Sequence, residues 1–139
     1  MYNIVEMSII KPIENLEYMF YNCVCLVSIN QIYNFDTKYF NNFSHMFYGC
    51  SSLTDIKPLE EMNVSNGKDF SYMFYGCSSL TDIFSLEKWN VSNCINFSYM
   101  FYRCSSLSDI SSLKKWNVSN CNNFSLCFMN VNHYLIFHH

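Results

Sequence analysis

Apolar residues recur along this chain at a fixed distance that is much longer than a helical turn or a strand alternation. The Met-Phe pair shows it most clearly, because each copy follows the one before by 27 residues. The copies are Met19-Phe20, Met46-Phe47, Met73-Phe74 and Met100-Phe101, and Cys127-Phe128 occupies the fifth position. A constant period of this length is typical of repeat architectures, in which each unit buries its apolar face against a neighbour.

One stretch of each unit has the apolar spacing of an amphipathic helix. In the fourth copy, Phe97, Met100, Phe101, Cys104 and Leu107 fall on one side when placed at about 100° per residue. This spacing predicts a helix of about three turns in every repeat.

Another stretch alternates between apolar and polar residues. Trp89 and Val91 share one side of the segment 87–93, and Lys88, Asn90 and Ser92 share the other. The alternation predicts a short, half-buried strand. Equivalent strands are expected at 8–10, 35–37, 62–64, 89–91 and 116–118, each followed by a helix.

The two predicted elements require different spacings between neighbouring repeats. Paired strands lie about 4.8 Å apart, whereas packed helices need about 8–10 Å. We therefore expect a curved α/β solenoid of about five strand-helix coils, with a parallel sheet on the concave side and helices on the convex side. The whole chain, 1–139, is expected to form one domain with units at approximately 8–34, 35–61, 62–88, 89–115 and 116–139. The predicted core comprises Met46, Phe47, Cys50, Met73, Phe74, Cys77, Trp89, Met100, Phe101, Cys104 and Trp116.

Charge and composition narrow the choice of partner. The formal net charge is -3, only 14% of residues are charged, and neither sign forms a run. Nucleic acids and anionic membranes select basic surfaces, so neither is an expected partner. No stretch resembles a secretory signal or reaches the roughly 20 apolar residues of a membrane span. The expected location is cytoplasmic by default, or the cell surface if the chain is a fragment.

The motifs resemble a known family. WNVSN at 89–93, NFSYMF at 96–101, the Gly-Cys or Arg-Cys pairs and the following SSL are similar to the repeats of BspA-like leucine-rich-repeat proteins, including the mycoplasma lipoprotein type. The resemblance covers about 16–128. It implies a leucine-rich-repeat-like fold, and it implies kinship with large surface proteins of bacteria and protists that are associated with adhesion.

Cysteine and histidine are the residues most capable of chemistry, yet their pattern does not favour a catalytic or metal site. Cys23, Cys50, Cys77 and Cys104 repeat with the period, and we interpret them as free thiols that serve as small apolar side chains. No paired CxxC motif is present. His45 replaces a tyrosine of the repeat, and His133, His138 and His139 lie near the C-terminus. We expect no enzyme activity, no cofactor and no metal.

Two further rows leave alternatives open. Asp55, Asp82 and Asp109 form a carboxylate row, which suits either calcium or hydrogen bonds to backbone amides in turns; the second is favoured. Tyr18, Tyr72 and Tyr99 with His45 form one aromatic row, and Tyr21, Tyr48, Tyr75 and Tyr102 form another. Such rows either mark a contact surface or pack ring against ring between repeats, and the packing interpretation is slightly favoured.

The function that the pattern favours is a non-catalytic protein–protein interaction module of the leucine-rich-repeat type. A fragment of a cell-surface adhesin-like repeat protein is the alternative. Neither end of the array carries a polar cap, so we expect either end-to-end self-association or a chain that is part of a longer array. The candidate partner-binding residues on the concave face are Asp36, Glu61, Asn63, Lys88, Asn90, Lys115 and Asn117.

Overall fold

A computed structural model describes residues 15–30, 32 and 36–131. Three short 3₁₀ helices lie wholly within the described residues: η1 at Lys57–Glu61, η2 at Phe84–Leu86 and η3 at Ser111–Lys115. The described residues contain no α-helix and no extended strand; turns and single parallel bridges take their place. The bridges pair Ser28 with Asp55, Asn42 with Asp69, Asp69 with Asn96, Asp82 with Asp109, and Asn96 with Asn123.

The prediction that equivalent segments lie side by side is confirmed, because backbone and side-chain hydrogen bonds join residues 26 to 30 positions apart throughout the described chain. The predicted α/β fold is wrong. In place of the predicted helix, each repeat has a chain of tight turns that we call the turn ribbon. The turn ribbon comprises 16–23, 43–50, 70–77, 97–104 and 124–131 in successive repeats.

Hydrogen bonding explains why the turn ribbon mimics a helix in its sequence pattern. In the fourth repeat, the N–H groups of Met100, Tyr102 and Cys104 each donate to the carbonyl three residues earlier, at 3.1–3.2 Å. The N–H groups of Phe97, Tyr99, Phe101 and Arg103 instead donate to the next repeat, at 2.8–3.0 Å. Every second amide is therefore used between repeats, which an α-helix cannot do because its amides are consumed internally.

Left-handed backbone conformations exclude a helix at the same place. Tyr99 and Arg103 have φ angles of 58° and 60°, and the equivalent Tyr72 and Gly76 have 57° and 71°. A right-handed helix has negative φ throughout. Two left-handed residues in each turn ribbon turn the chain so that the apolar side chains face inward, although no helix is formed.

The predicted strands at 62–64, 89–91 and 116–118 are also wrong. Met62 and Trp116 are single extended residues that directly follow η1 and η3. The parallel bridges lie elsewhere in the repeats. Side chains connect the repeats at this point: Trp89 Nε1 donates to the Leu59 carbonyl at 2.8 Å. The predicted strand at 8–10 lies outside the described residues, and the one at 35–37 does so in part.

Neighbouring repeats are closely spaced on the side where helices were expected. Phe20, Phe47, Phe74, Phe101 and Phe128 stack in one column with ring centroids 5.4–5.7 Å apart. Helices at 8–10 Å do not fit this spacing, whereas flat turns do. The expected bend, which depended on helices on a convex side, therefore has no basis in the described residues.

The core runs along the stack between the turn ribbon and the segment that follows the 3₁₀ helices. Of the residues predicted for the core, Trp89 is 5% exposed and Trp116 is half-buried. The others are fully buried: Met46, Phe47, Cys50, Met73, Phe74, Cys77, Met100, Phe101 and Cys104.

Candidate functional site

The candidate partner-binding residues lie on the surface around the segments that follow the 3₁₀ helices. All seven are exposed: Asp36, Glu61, Asn63, Lys88, Asn90, Lys115 and Asn117. The expected concave sheet does not exist in the described residues. Glu61 and Lys115 are instead the last residues of η1 and η3, and the other five residues lie in turns and extended segments. We call this set the polar face.

The asparagines of the polar face are held in place by their own turns. Asn63 Oδ1 accepts the N–H of Ser65 at 3.0 Å, Asn90 Oδ1 accepts that of Ser92 at 3.2 Å, and Asn117 Oδ1 repeats this bond. Three successive repeats therefore present an asparagine at the same place, and Asp36 occupies that place in the repeat before them. The amide oxygen is committed to this bond, so the side-chain NH₂ remains as the donor for a partner.

Three charged residues of the polar face form ion pairs, two of them across neighbouring repeats. Lys88 Nζ lies 3.6 Å from a Glu60 carboxylate oxygen, and Lys115 pairs with Glu87. Lys38 and Asp36 form a third pair at 3.6 Å. These exposed pairs add at most about 1 kcal/mol each. They place lysines beside carboxylates along the stack.

Asparagine side chains also join the repeats at the corner next to the polar face. Asn93 Nδ2 donates to the Ser65 carbonyl and Asn120 Nδ2 donates to the Ser92 carbonyl, both at 2.7 Å. Tyr39 occupies the equivalent corner of an earlier repeat and is exposed. These bonds from asparagine side chains to backbone carbonyls fix the distance between neighbouring repeats beside the polar face.

The carboxylate row forms turns, as the favoured interpretation predicted. Asp55, Asp82 and Asp109 each accept the backbone N–H two residues later, at 3.0, 3.3 and 2.8 Å. Hydrogen bonds from Ser111 lower the pKa of Asp109. Among the described residues, no three His, Cys, Asp or Glu side chains converge on a point where they could hold a metal ion.

The two tyrosine rows pack ring against ring, as the favoured interpretation predicted. Tyr72 stacks on Tyr99 with centroids 4.7 Å apart, and Tyr48 stacks on Tyr75 at 4.5 Å. The two rows also touch each other, since the Tyr72 and Tyr75 centroids are 5.8 Å apart. Ring faces are used within the rows, and burial between neighbouring rings raises the pKa of Tyr48 and Tyr72.

His45 completes one of these rows. Its ring stacks between Tyr18 and Tyr72 at 4.6 and 4.7 Å. Nδ1 is buried and has no hydrogen-bond partner among the described residues. Burial lowers the pKa of His45, while the carboxylates of Glu17 and Asp69 act in the opposite direction. A stacked neutral imidazole is compatible with a role in packing.

The buried thiols satisfy backbone carbonyls. Sγ of Cys50, Cys77 and Cys104 donates to the carbonyl of Phe20, Phe47 and Phe74 respectively, at 3.1–3.2 Å. Burial raises the pKa of Cys50 to about 11 and those of Cys94 and Cys127 to about 12. These thiols are protonated at neutral pH, whereas nucleophilic cysteines need the thiolate. All cysteines of the described chain are free.

The sequence pattern did not reveal an open depression at the edge of the turn ribbon. It is lined by Gly76, Ser78, Arg103, Ser105 and Asn130. Gly76, Arg103 and Asn130 share the left-handed position of successive repeats, with φ of 71°, 60° and 58°. The Gly-Cys pairs at 49–50 and 76–77 were the available signal, because glycine adopts positive φ without strain.

Stacked turns, repeat-to-repeat hydrogen bonds and aromatic columns define the class: this is a repeat protein. The chain belongs to the family described as "Mycoplasma protein of unknown function, DUF285", whose model matches residues 13–135. Among solved structures, it is similar to a leucine-rich repeat protein from Eubacterium ventriosum ATCC 27560, with a TM-score of 0.56 and 22% sequence identity. The match covers 83% of this chain and 27% of that chain.

These comparisons support the predicted resemblance at the level of a leucine-rich-repeat fold. The comparison with curated proteins gave no match. In the part of the chain that the structure describes, no helix has the length and apolar character that crossing a membrane requires.

Proposed function

We propose that this protein is a non-catalytic protein–protein interaction module of the leucine-rich-repeat type, and that the polar face binds the partner. The observation that carries the proposal is the fixed placement of Asn63, Asn90 and Asn117, each exposed and each held by a hydrogen bond within its own turn. A row that is rigid before binding loses little conformational entropy when a partner contacts it.

The chemistry of the polar face suits a protein surface. Asparagine amides offer donors, and Lys88 and Lys115 lie beside the carboxylates of Glu60 and Glu87. A partner that carries both signs of charge can match this alternation, which gives specificity and faster association. A small molecule would need a concave, largely apolar site instead.

The state of the thiols supports the non-catalytic part of the proposal. Burial holds the thiols of Cys50, Cys94 and Cys127 protonated, with pKa values of about 11 to 12. The thiol of Cys50 donates a hydrogen bond to the Phe20 carbonyl. Their role is to complete the stack.

Site-specific photo-crosslinking tests the proposal. A photoreactive amino acid replaces Asn90 on the polar face, and the matched control replaces Ile95, which is exposed outside that face. In the cells that make the protein, we expect one partner to be captured at position 90 and not at position 95. Equal capture at both positions, or none at either, would contradict the proposal.

A binding measurement with the purified partner then tests the residues. We expect the double variant Lys88→Ala/Lys115→Ala to weaken the affinity at least about tenfold, since each side chain loses a charge at the contact. Lys68→Ala is the control, because Lys68 is exposed outside the polar face. Unchanged affinity of the double variant would place the partner elsewhere on the surface.

A further inference from the structure

The stack of turn ribbons has a direction. In each of the first four turn ribbons, four alternate N–H groups donate to carbonyls 26 residues later, towards the C-terminal end of the stack. The first repeat makes these bonds from Leu16, Tyr18, Phe20 and Asn22, at 2.6–3.3 Å. The fourth repeat makes them from Phe97, Tyr99, Phe101 and Arg103. Within the turn ribbon, the donors of one repeat face the acceptors of the next. Beside the parallel bridges the direction is reversed, since the N–H groups of Lys68 and Ile95 donate to the Asn41 and Lys68 carbonyls of the preceding repeat.

This direction leaves complementary edges at the two ends. In the last turn ribbon, the N–H groups at the donor positions have no acceptor among the described residues; they belong to Phe124, Leu126, Phe128 and Asn130. In the first turn ribbon, the carbonyls at the acceptor positions receive no hydrogen bond from the described chain; they belong to Asn15, Glu17, Met19 and Tyr21.

Side chains at the two ends are apolar and correspondingly exposed. Phe124 is 43% exposed, whereas Phe97, its equivalent one repeat earlier, is 1% exposed. Met129 is 47% exposed at the last end, and Tyr18 and Tyr21 are 49% and 44% exposed at the first. Each end is therefore the surface that the interior repeats bury against a neighbour.

We propose that two copies of this chain associate head to tail, with the last turn ribbon of one copy continuing into the first turn ribbon of the next. The internal register fixes the contacts. The amides of Phe124 and Leu126 would donate to the carbonyls of Asn15 and Glu17 of the second copy. Phe128 would stack on Phe20, and Met129 would lie on Tyr21.

The direction of the hydrogen bonds selects this arrangement over symmetric ones. In the turn ribbon, two last ends brought together would set donors against donors, and two first ends would set acceptors against acceptors. Head-to-tail contact uses a different surface on each copy, so it leaves one end of every dimer open for a further copy. The expected assemblies are therefore chains of increasing length.

Sedimentation equilibrium over a range of concentrations tests the proposal, with two variants that each block one end. Met129→Lys buries a lysine at the last end, and Tyr21→Glu buries a carboxylate at the first end. We expect the unmodified chain to exceed its monomer mass of 16.5 kDa as concentration rises. Each variant alone is expected to remain near the monomer mass. Ile95→Lys, a charge placed on the exposed flank of the stack, is expected to associate like the unmodified chain.

Mixing the two variants gives the decisive result. In the mixture, the unmodified last end of Tyr21→Glu can bind the unmodified first end of Met129→Lys. The lysine at the last end of Met129→Lys can also pair with the glutamate at the first end of Tyr21→Glu. An equimolar mixture is therefore expected to recover the larger mass. Circular dichroism spectra that match the parent chain show that the variants remain folded. A monomeric parent at all concentrations, as when the chain's own terminal segments cover the ends, would overturn the proposal. A mixture that stays monomeric while the parent associates would overturn it too.

Discussion

Replacing Trp89 tests whether the stack is held by side chains that reach from one repeat to the previous one. Trp89 is 5% exposed, its ring centroid lies 5.8 Å from that of Phe70 and 6.4 Å from that of Trp116, and its Nε1 donates to the Leu59 carbonyl at 2.8 Å. Trp89→Ala removes the indole and leaves a cavity between repeats. Substitutions of this kind cost about 3–5 kcal/mol.

The lost hydrogen bond adds little to that figure. The Leu59 carbonyl also accepts the N–H of Met62 at 3.1 Å, so it keeps a partner after the substitution. A carbonyl left with no partner would cost about 1–3 kcal/mol, whereas the cost at Leu59 is that of one net hydrogen bond, about 0.5–1.5 kcal/mol. The expected total for Trp89→Ala is therefore about 3.5–6.5 kcal/mol, and Trp89→Phe, which keeps an aromatic ring, should cost about 1–2 kcal/mol.

Urea unfolding followed by far-ultraviolet circular dichroism measures these free energies. Trp116→Ala is the matched control, because Trp116 makes the same bond to the Leu86 carbonyl, at 2.9 Å, but is half-buried. We expect its free energy of unfolding to fall by less than that of Trp89→Ala. A cost below about 1 kcal/mol for Trp89→Ala, or a larger cost for Trp116→Ala, would refute the explanation from burial.

Three further predictions concern the backbone, pH and the thiols. Gly76→Ala should lower the free energy of unfolding by about 1–2 kcal/mol, because φ is 71° and the added Cβ meets only Gly49 atoms at 3.8 Å or more; an unchanged urea midpoint would contradict this. The pKa of His45 is lowered in the folded state, so its contribution is present above the unfolded pKa of about 6.5 and is lost as pH falls through and below that value. His45→Tyr should therefore gain stability relative to the parent between pH 7 and about pH 5, and urea titrations in which the two proteins lose stability in parallel would contradict a lowered pKa for His45. With a thiol reagent at pH 8, exposed Cys23 and Cys25 should react quickly and buried Cys127 slowly, whereas equal rates under native conditions would show that Cys127 is accessible.

Sequence periodicity predicted the repeat and the side-by-side placement of equivalent residues, because one long period is a strong signal that does not depend on local conformation. It did not predict the local conformation. Phe97, Met100, Phe101 and Cys104 have helical spacing, yet successive tight turns bury the same positions. Spacing alone does not report where an amide finds its acceptor, and in the turn ribbon the acceptor of every second amide belongs to another repeat.

The glycines are a second sequence signal, and they argue against a helix. Gly49 and Gly76 occupy one position of the turn ribbon with φ of 71°, and glycine is costly inside a helix. Tyr72 and Tyr99 are left-handed without being glycine, so their conformation has no local sequence signal. Leu126 has a φ of 52° at the equivalent position, so the conformation belongs to the repeat and not to an aromatic residue.

For the polar face too, some features could be predicted from the sequence and others could not. Exposure of Asn63, Asn90 and Asn117 follows from alternation with buried neighbours, and no helix or strand is needed for it. The hydrogen bond from the backbone N–H of Ser65 to Asn63 is a local turn that the Asn-x-Ser pattern permits. The pairing of Lys88 with Glu60 spans two repeats, and it requires the register between repeats, which only the folded stack establishes.

The constant register has a consequence for how such a chain changes in length. Asp69 is followed by Phe70 and Asn96 is followed by Phe97, and the two junctions occupy the same corner of successive repeats. Removing residues 70–96 would join Asp69 to Phe97 and leave every surviving repeat with a neighbour of the same shape. Duplicating residues 70–96 would add one repeat and would likewise leave every repeat with a neighbour of the same shape. Recombination between near-identical coding segments can therefore lengthen or shorten the molecule by whole units while the packing between units stays as it was.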